Sequence, residues 1–389
     1  MSDKNHTIEI LSLSCFFFFA ALGVYPFIPI YYKDYGVSGV QIGIIAAVSA
    51  AVVVIAASAW GSFSDSLGRR KPFIALGCTM LSFTMIAYTL VSSFEAFLIV
   101  SVISALLAPS PMALLAASVF ELVSSEAKTR VYARYRIWGC VGWIITTSSL
   151  GVLVSAYGIK AAFYLAAVLF LFAMLNSLRL VESKKLQTQS VQPRPVAPIV
   201  EIVKERKLLV FLVILSLLFM TFSMNSVFLP LYLSFLGASP ELIGITFAVP
   251  AILEIPIMLY AGRLADRIGR KSLLAFGSSV TSLRFFLYTI TSNPFLILPI
   301  ASLHAFGYAL ADVISTTLIS DILPLGKQGI GQTLYASGVL SVANVVGPLV
   351  GGMVSDLFGM HIMFYVASLL AMASTMFFAL SVKEKKIIQ

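Results

Sequence analysis

The chain has 389 residues, of which 59% are hydrophobic and 11% charged, with a mean hydropathy of +0.97 and a formal net charge of +9. A soluble domain carries about 25% charged residues, so this composition excludes one and implies an integral membrane protein. The positive charge is spread over several loops and forms no single basic face, which argues against a nucleic-acid partner.

Crossing a hydrocarbon core takes about 20 apolar residues. Twelve such stretches are expected near 8–32, 39–60, 73–92, 95–121, 136–157, 160–180, 208–233, 241–262, 273–291, 294–320, 331–356 and 360–382. None alternates in the period of 2 that marks a membrane barrel strand, so all are expected to be helices. The first lacks a small-residue cleavage site after it and is expected to be retained. Pro26 and Pro29 in the first span, Pro109 and Pro111 in the fourth, and Pro250 and Pro256 in the eighth are expected to interrupt helix hydrogen bonding.

Between the second and third spans lies Gly61-Ser-Phe-Ser-Asp65-Ser-Leu-Gly68-Arg69-Arg70-Lys71, read as a tight polar hairpin. The pattern returns between the eighth and ninth spans as Gly262-Arg263-Leu-Ala-Asp266-Arg267-Ile-Gly269-Arg270-Lys271. A polar turn repeated at half-chain spacing implies two related bundles. They are expected at 1–180 and 208–389, joined by a polar linker at 181–207 that carries Pro193, Pro195 and Pro198. Of the 26 Lys and Arg, all but Lys33, Lys160 and Arg284 fall on one side if the N-terminus is inside. By the positive-inside rule both termini are then cytoplasmic. Cys15, Cys78 and Cys140 lie within spans and form no CxxC or Cys/His cluster, so neither a disulfide nor a metal site is expected.

A solvated positive-inside loop accounts for the cations of both hairpins but not for Gly and Asp at fixed offsets. The paired G-x-x-x-D-x-x-G-R-[RK]-K motifs, after the second and eighth of twelve spans, resemble the signature loop of the major facilitator superfamily. That resemblance covers the whole chain. It implies an all-α membrane protein with twelve transmembrane helices in two pseudo-symmetric six-helix bundles around a central cavity, working by alternating access. It further implies that Gly61, Asp65, Gly68, Arg69 and Arg70, with Gly262, Asp266, Arg267, Gly269 and Arg270, form a gating latch. Asp65 would dock near Gly331 and Asp266 near Arg130–Tyr135, at helix starts whose positive dipole end favours a carboxylate.

A charge at mid-span costs roughly 2.5–3.5 kcal/mol and is a functional candidate. Counted at about 1.5 Å rise per residue, Glu254, Arg284 and His304 all fall near the bilayer centre, with Asp312 two turns beyond His304. Such a set can pass a proton. It can equally be a structural Glu254–Arg284 ion pair with His304 as an interhelical hydrogen bonder. At the start of the fifth span Arg136 and Trp143 lie two turns apart on one face, a fork for hydroxyls or a carboxylate below a stacking surface. Asn225 and Asn344 are further candidate substrate contacts.

The segment Arg136-Ile-Trp-Gly-Cys-Val-Gly-Trp143 resembles the fifth helix of lactose permease and its relatives, the oligosaccharide, nucleoside and phenylpropionate proton symporters. Ser282-Leu-Arg284 and Leu303-His304-Ala-Phe306 are similar to its ninth and tenth helices. The resemblance implies that Arg136 and Trp143 bind substrate and that Arg284 and His304 couple it. Two positions depart from that pattern: the carboxylate three residues after the His is Gly307 here, and the fourth-helix acid has no clear match, Glu121 of Ala116-Ala-Ser118-Val-Phe-Glu121 being the only acid nearby. A proton path is then left to Glu254, to Asp312 or to neither.

The expected function is secondary active transport of a small polar or aromatic solute (a sugar, nucleoside or organic acid), proton-coupled and without a cofactor. The alternative is proton-driven efflux, against which the fourth span lacks an intramembrane Arg. No nucleophile–base or metal set suggests an enzyme. The chain is expected to act as a monomer in the cell membrane, its partners the substrate and the bilayer.

Overall fold

The computed structural model describes residues 2–122, 128–180, 206–322 and 328–381. Residues 181–205 of the expected linker and the basic segment Lys383–Lys386 lie outside them. The described residues are nearly all helical and contain twelve helices long and apolar enough to cross a membrane. These are α1 (His6–Asp34), α2 (Gly39–Leu67), α3 (Lys71–Leu90), α4 (Phe94–Val119), α5 (Tyr135–Tyr157) and α6 (Lys160–Ser177), then α7 (Leu208–Phe235), α8 (Pro240–Ile268), α9 (Arg270–Ile290), α10 (Pro294–Ile319), α11 (Gly331–Phe358) and α12 (Met360–Leu380). Helix is what such a sequence must form in lipid, because it satisfies every backbone group within its own segment.

Prolines act unevenly. In α1 the backbone tightens at Gly23 and makes a 3-10 turn over Tyr25–Phe27 before resuming at Ile28. α4 is divided at Ala108, with Pro109 opening its second segment. Pro250 and Pro256, expected to interrupt α8, lie inside one continuous helix. A proline forfeits a single ladder bond, and where apolar packing holds both flanks the helix runs through it.

The hairpins also need correction. Gly61–Leu67 is the last stretch of α2 and Gly262–Ile268 the last of α8, so most of each motif is helix. The turns proper are set by Gly68 (φ 60°) and Gly269 (φ 95°), left-handed positions that end a helix at low cost only when glycine occupies them. At the first turn the Ser64 hydroxyl donates to the Arg69 carbonyl (3.0 Å) and Arg70 lies 3.8 Å from Asp65. Asp266 is exposed.

The repeat runs deeper than the motif. All six positive-φ glycines of the described residues fall into pairs with a common offset of 201: Gly36 with Gly237, Gly68 with Gly269, and Gly158 with Gly359. Between the second and third pairs the offset drops to 200. α3 ends at Leu90 and α9 at Ile290. By Tyr157 and Phe358 it is 201 again. One residue is therefore regained between Ile290 and Phe358, and the helix containing α11 carries a π-helical stretch over Leu334–Leu340 where its counterpart is plain α-helix. A π segment is how a helix accommodates an extra residue.

Two compact units result. One comprises the described residues of Met1–Val37, Val48–Pro193 and Ser239–Ala248, the other those of Ser38–Ala47, Arg194–Ala238 and Val249–Gln389. In the first, α1 packs on α5 and α6, and α3 on α6 and α4; in the second, α7 packs on α11 and α12, and α9 on α12 and α10. Small residues set the crossings. Within the first unit a Cβ on Gly142 would strike the Phe16 carbonyl of α1, and one on Gly244 the Thr147 carbonyl; within the second, one on Gly43 would strike the Pro348 carbonyl. In the second unit, too, the Asp356 carboxylate accepts from the backbone N–H of Gly39 (2.8 Å) and Val40 (2.7 Å), capping the start of α2.

Candidate functional site

The intramembrane charges converge in the second unit. Glu254 lies midway along α8, and His304 begins the second segment of α10, immediately after the break at Leu303. That break, which follows Pro299 in the preceding segment, sets His304 against α8. His304 Nε2 is 3.5 Å from Glu254 Oε1, and both side chains are about four-fifths buried. His304 Nδ1 has no hydrogen-bond partner among the described residues. The ring stacks on Tyr308 (centroids 5.3 Å, interplanar angle 21°), and Phe222 of α7 meets both edge-on.

Arg284 of α9 is fully buried, with 0% of its surface exposed. Its guanidinium carbon stands 4.3 Å from the Phe285 ring centroid, 5.8 Å from that of Phe222 and 6.0 Å from that of Tyr288. None of its three nitrogens has a hydrogen-bond acceptor among the described residues. The Glu254–Arg284 ion pair envisaged from the sequence is thus not formed: Glu254 contacts His304, and Arg284 rests on aromatic faces.

Asp312 is engaged separately. It accepts a 2.6 Å hydrogen bond from the Tyr335 hydroxyl, and Tyr335 stands in the π segment of α11. Gly307 lies at a tight crossing of α9 and α10. A Cβ there would sit on the Thr281 hydroxyl, which donates to the Gly277 carbonyl at 2.9 Å. The residue that departs from the resembled pattern is therefore one that helix packing demands.

In the first unit Arg136 is half-buried and stacks over the Phe19 ring of α1 at 4.3 Å, while Trp143 is half-buried two turns along α5. Asn225 of α7 is buried, with its amide oxygen unpartnered among the described residues, and Asn344 of α11 is exposed. The structure thus joins Glu254 to His304 and places Arg284 beside the same aromatic group. It separates Asp312 from them by a different partner. Sequence reasoning missed Tyr335, Phe222 and Asp356. Two of these are uncharged members of apolar runs, but Asp356 could have been found as the single acid near the end of the eleventh span.

The family model described as "MFS_1 like family" matches residues 8–366. The chain is 22% identical over 382 residues to the uncharacterized transporter YwbF of Bacillus subtilis (strain 168), covering 96% of this chain and 94% of that protein. It is 25% identical over 368 residues to the multi-drug resistance efflux pump PmrA of Streptococcus pneumoniae (strain ATCC BAA-255 / R6), covering 91% and 90%. The crystal structure of the nucleoside transporter NupG superposes with a TM-score of 0.85 at 16% identity, covering 97% of this chain and 100% of that one.

Proposed function

Because the chain belongs to the MFS_1 like family of major facilitator transporters, and is a multi-pass membrane transporter of a small molecule and not an enzyme, we propose that it works as a proton-coupled symporter. Its substrate is a small polar or aromatic solute, moved by alternating access. The observation that carries this reading is the mid-span contact of His304 Nε2 with Glu254 Oε1 at 3.5 Å. Two titratable groups facing each other in the membrane interior can hand on a proton, and intramembrane acids and imidazoles mark such relays. Glu254 and His304 carry the proton. Arg284 adjusts their charge from α9, and Asp312 with Tyr335 forms a second carboxylate–hydroxyl pair. Arg136, Trp143, Asn225 and Asn344 are the proposed substrate contacts.

Uptake into proteoliposomes under an imposed pH gradient tests this. Accumulation should follow the gradient and be lost in Glu254→Gln while downhill exchange persists. Accumulation indifferent to both the gradient and the substitution would overturn the coupling.

Efflux is the second reading, favoured by the likeness to PmrA, a protein named as a multi-drug resistance efflux pump. Direction separates the two: cells producing the chain would become resistant to a toxic substrate under efflux and more sensitive under uptake.

A further inference from the structure

Arg284 poses an electrostatic problem. A guanidinium has five N–H donors and stays protonated at any accessible pH. Burying one without acceptors is among the most costly arrangements a protein can hold. Here all three nitrogens lack an acceptor among the described residues, and one turn along the same face of α9 the equally buried Tyr288 hydroxyl also lacks a partner. The nearby carboxylates are committed elsewhere, Glu254 to His304 and Asp312 to Tyr335. What remains on this face of α9 is a cluster made of donors, walled by Phe222, Phe285 and Tyr288.

We propose that the Arg284–Tyr288 donor cluster binds the carboxylate of the transported substrate, so that the solute is an organic monoanion with an apolar or aromatic body. The inference rests on the proton-coupled reading and deepens it through charge balance. The charged or titratable groups facing Glu254 are His304 of α10, Arg284 of α9 and, farther off, Asp312 of α10. With Glu254 ionised, Arg284 has its counter-charge across the site. When Glu254 takes a proton that counter-charge vanishes, and an entering carboxylate restores it. Proton and anion each stabilise the other's binding, which is the thermodynamic requirement of symport. A neutral sugar or nucleoside would leave Arg284 unbalanced in the protonated state. A phosphate dianion would bring one negative charge too many. The surrounding aromatic rings suit an apolar body, and the guanidinium fork suits a planar carboxylate.

The test uses the full chain in lipid nanodiscs, with benzoate, 3-phenylpropionate and hexanoate as probes against their neutral amides, uridine and lactose. Melting temperature and proton uptake in weakly buffered solution are recorded. At least one carboxylate should stabilise the protein while its amide does not, and its binding should take up protons. Glu254→Gln should keep carboxylate binding and lose the proton uptake. Arg284→Gln should weaken binding about 10- to 100-fold, as expected for loss of charge-assisted hydrogen bonds. Should that variant fail to fold, Tyr288→Phe should still weaken it about three- to tenfold. Carboxylate binding unchanged in both variants, or stabilisation by no carboxylate, overturns the proposal. Glu254-dependent proton uptake with uridine or lactose overturns it too but leaves proton coupling intact. Ligand binding that takes up no proton in the parent chain overturns both.

Discussion

Restoring a side chain at Gly307 offers a quantitative check on how α9 and α10 pack. The first Cβ added there lands on the Thr281 hydroxyl, with Thr281 Cβ and the Gly277 carbonyl both at 3.4 Å. Thr281 must then rotate, surrendering its 2.9 Å bond to Gly277, at about 0.5–1.5 kcal/mol. Overpacking of a tight crossing adds to that, so Gly307→Ala should cost about 1–3 kcal/mol in all. Removing the obstacle should recover most of it. Thr281→Ala/Gly307→Ala is expected within about 0.5 kcal/mol of Thr281→Ala alone, a coupling of the size that contacting residues show. Fluorescence-detected denaturation of the purified protein in detergent reads the four corners of this cycle. A Gly307→Ala midpoint equal to the parent's, or a double variant as unstable as Gly307→Ala, would refute the packing explanation. Gly307→Asp should be worse than alanine, since it adds a charge at the crossing.

Other substitutions probe other parts of the structure. Asp356→Ala removes the acceptor for two N–H groups at the start of α2 and should cost about 0.5–2 kcal/mol, while Asp356→Asn, which keeps one acceptor oxygen, should cost less; equal midpoints for the two would argue against the cap. Gly36→Ala forces a methyl into a φ of 78° and should destabilise by about 1 kcal/mol, whereas Gly61→Ala, helical and with open space around its Cβ, should raise stability by about 0.5–1 kcal/mol. Gly142→Leu drives a side chain into the Phe16 carbonyl at the α1–α5 crossing and should prevent recovery of monodisperse protein; a normal elution profile would contradict that crossing. Tyr335→Phe removes the 2.6 Å hydrogen bond donated to Asp312 and should lower stability by about 0.5–1.5 kcal/mol, and an unchanged denaturation midpoint would argue against that bond.

Span number and helical class were legible because lipid leaves the backbone so few choices. Apolar runs of the required length could only be helices, and the twin motifs at Gly61 and Gly262 announced the repeat. Glu254, Arg284 and His304 were legible as a group because a charge in hydrocarbon is conspicuous. Their pairing was not. Which acid meets which base depends on helix rotation, and on the break at Leu303 that aims His304 at α8. The helical end of each hairpin was hidden for a different reason. Polar residues such as Ser64 and Asp65 lower hydropathy without ending a helix, and only the left-handed glycines after them do that. Gly307 was read as a lost carboxylate, since its steric role appears only once Thr281 is seen against it.

The extra residue in α11 carries its own consequence. Tyr335, near the start of the π segment, holds Asp312, and Asp356, near the far end of the same helix, holds the first turn of α2. Passing the surplus residue out of the helix would turn one end against the other by about 100° and draw them about 1.5 Å along the axis. Hydrogen bonds of 2.6 to 2.8 Å at the two ends do not survive such a displacement together. α11 is in effect a gauge cut to one length, and the protein can reset it only by letting go of Asp312 at one end or of α2 at the other.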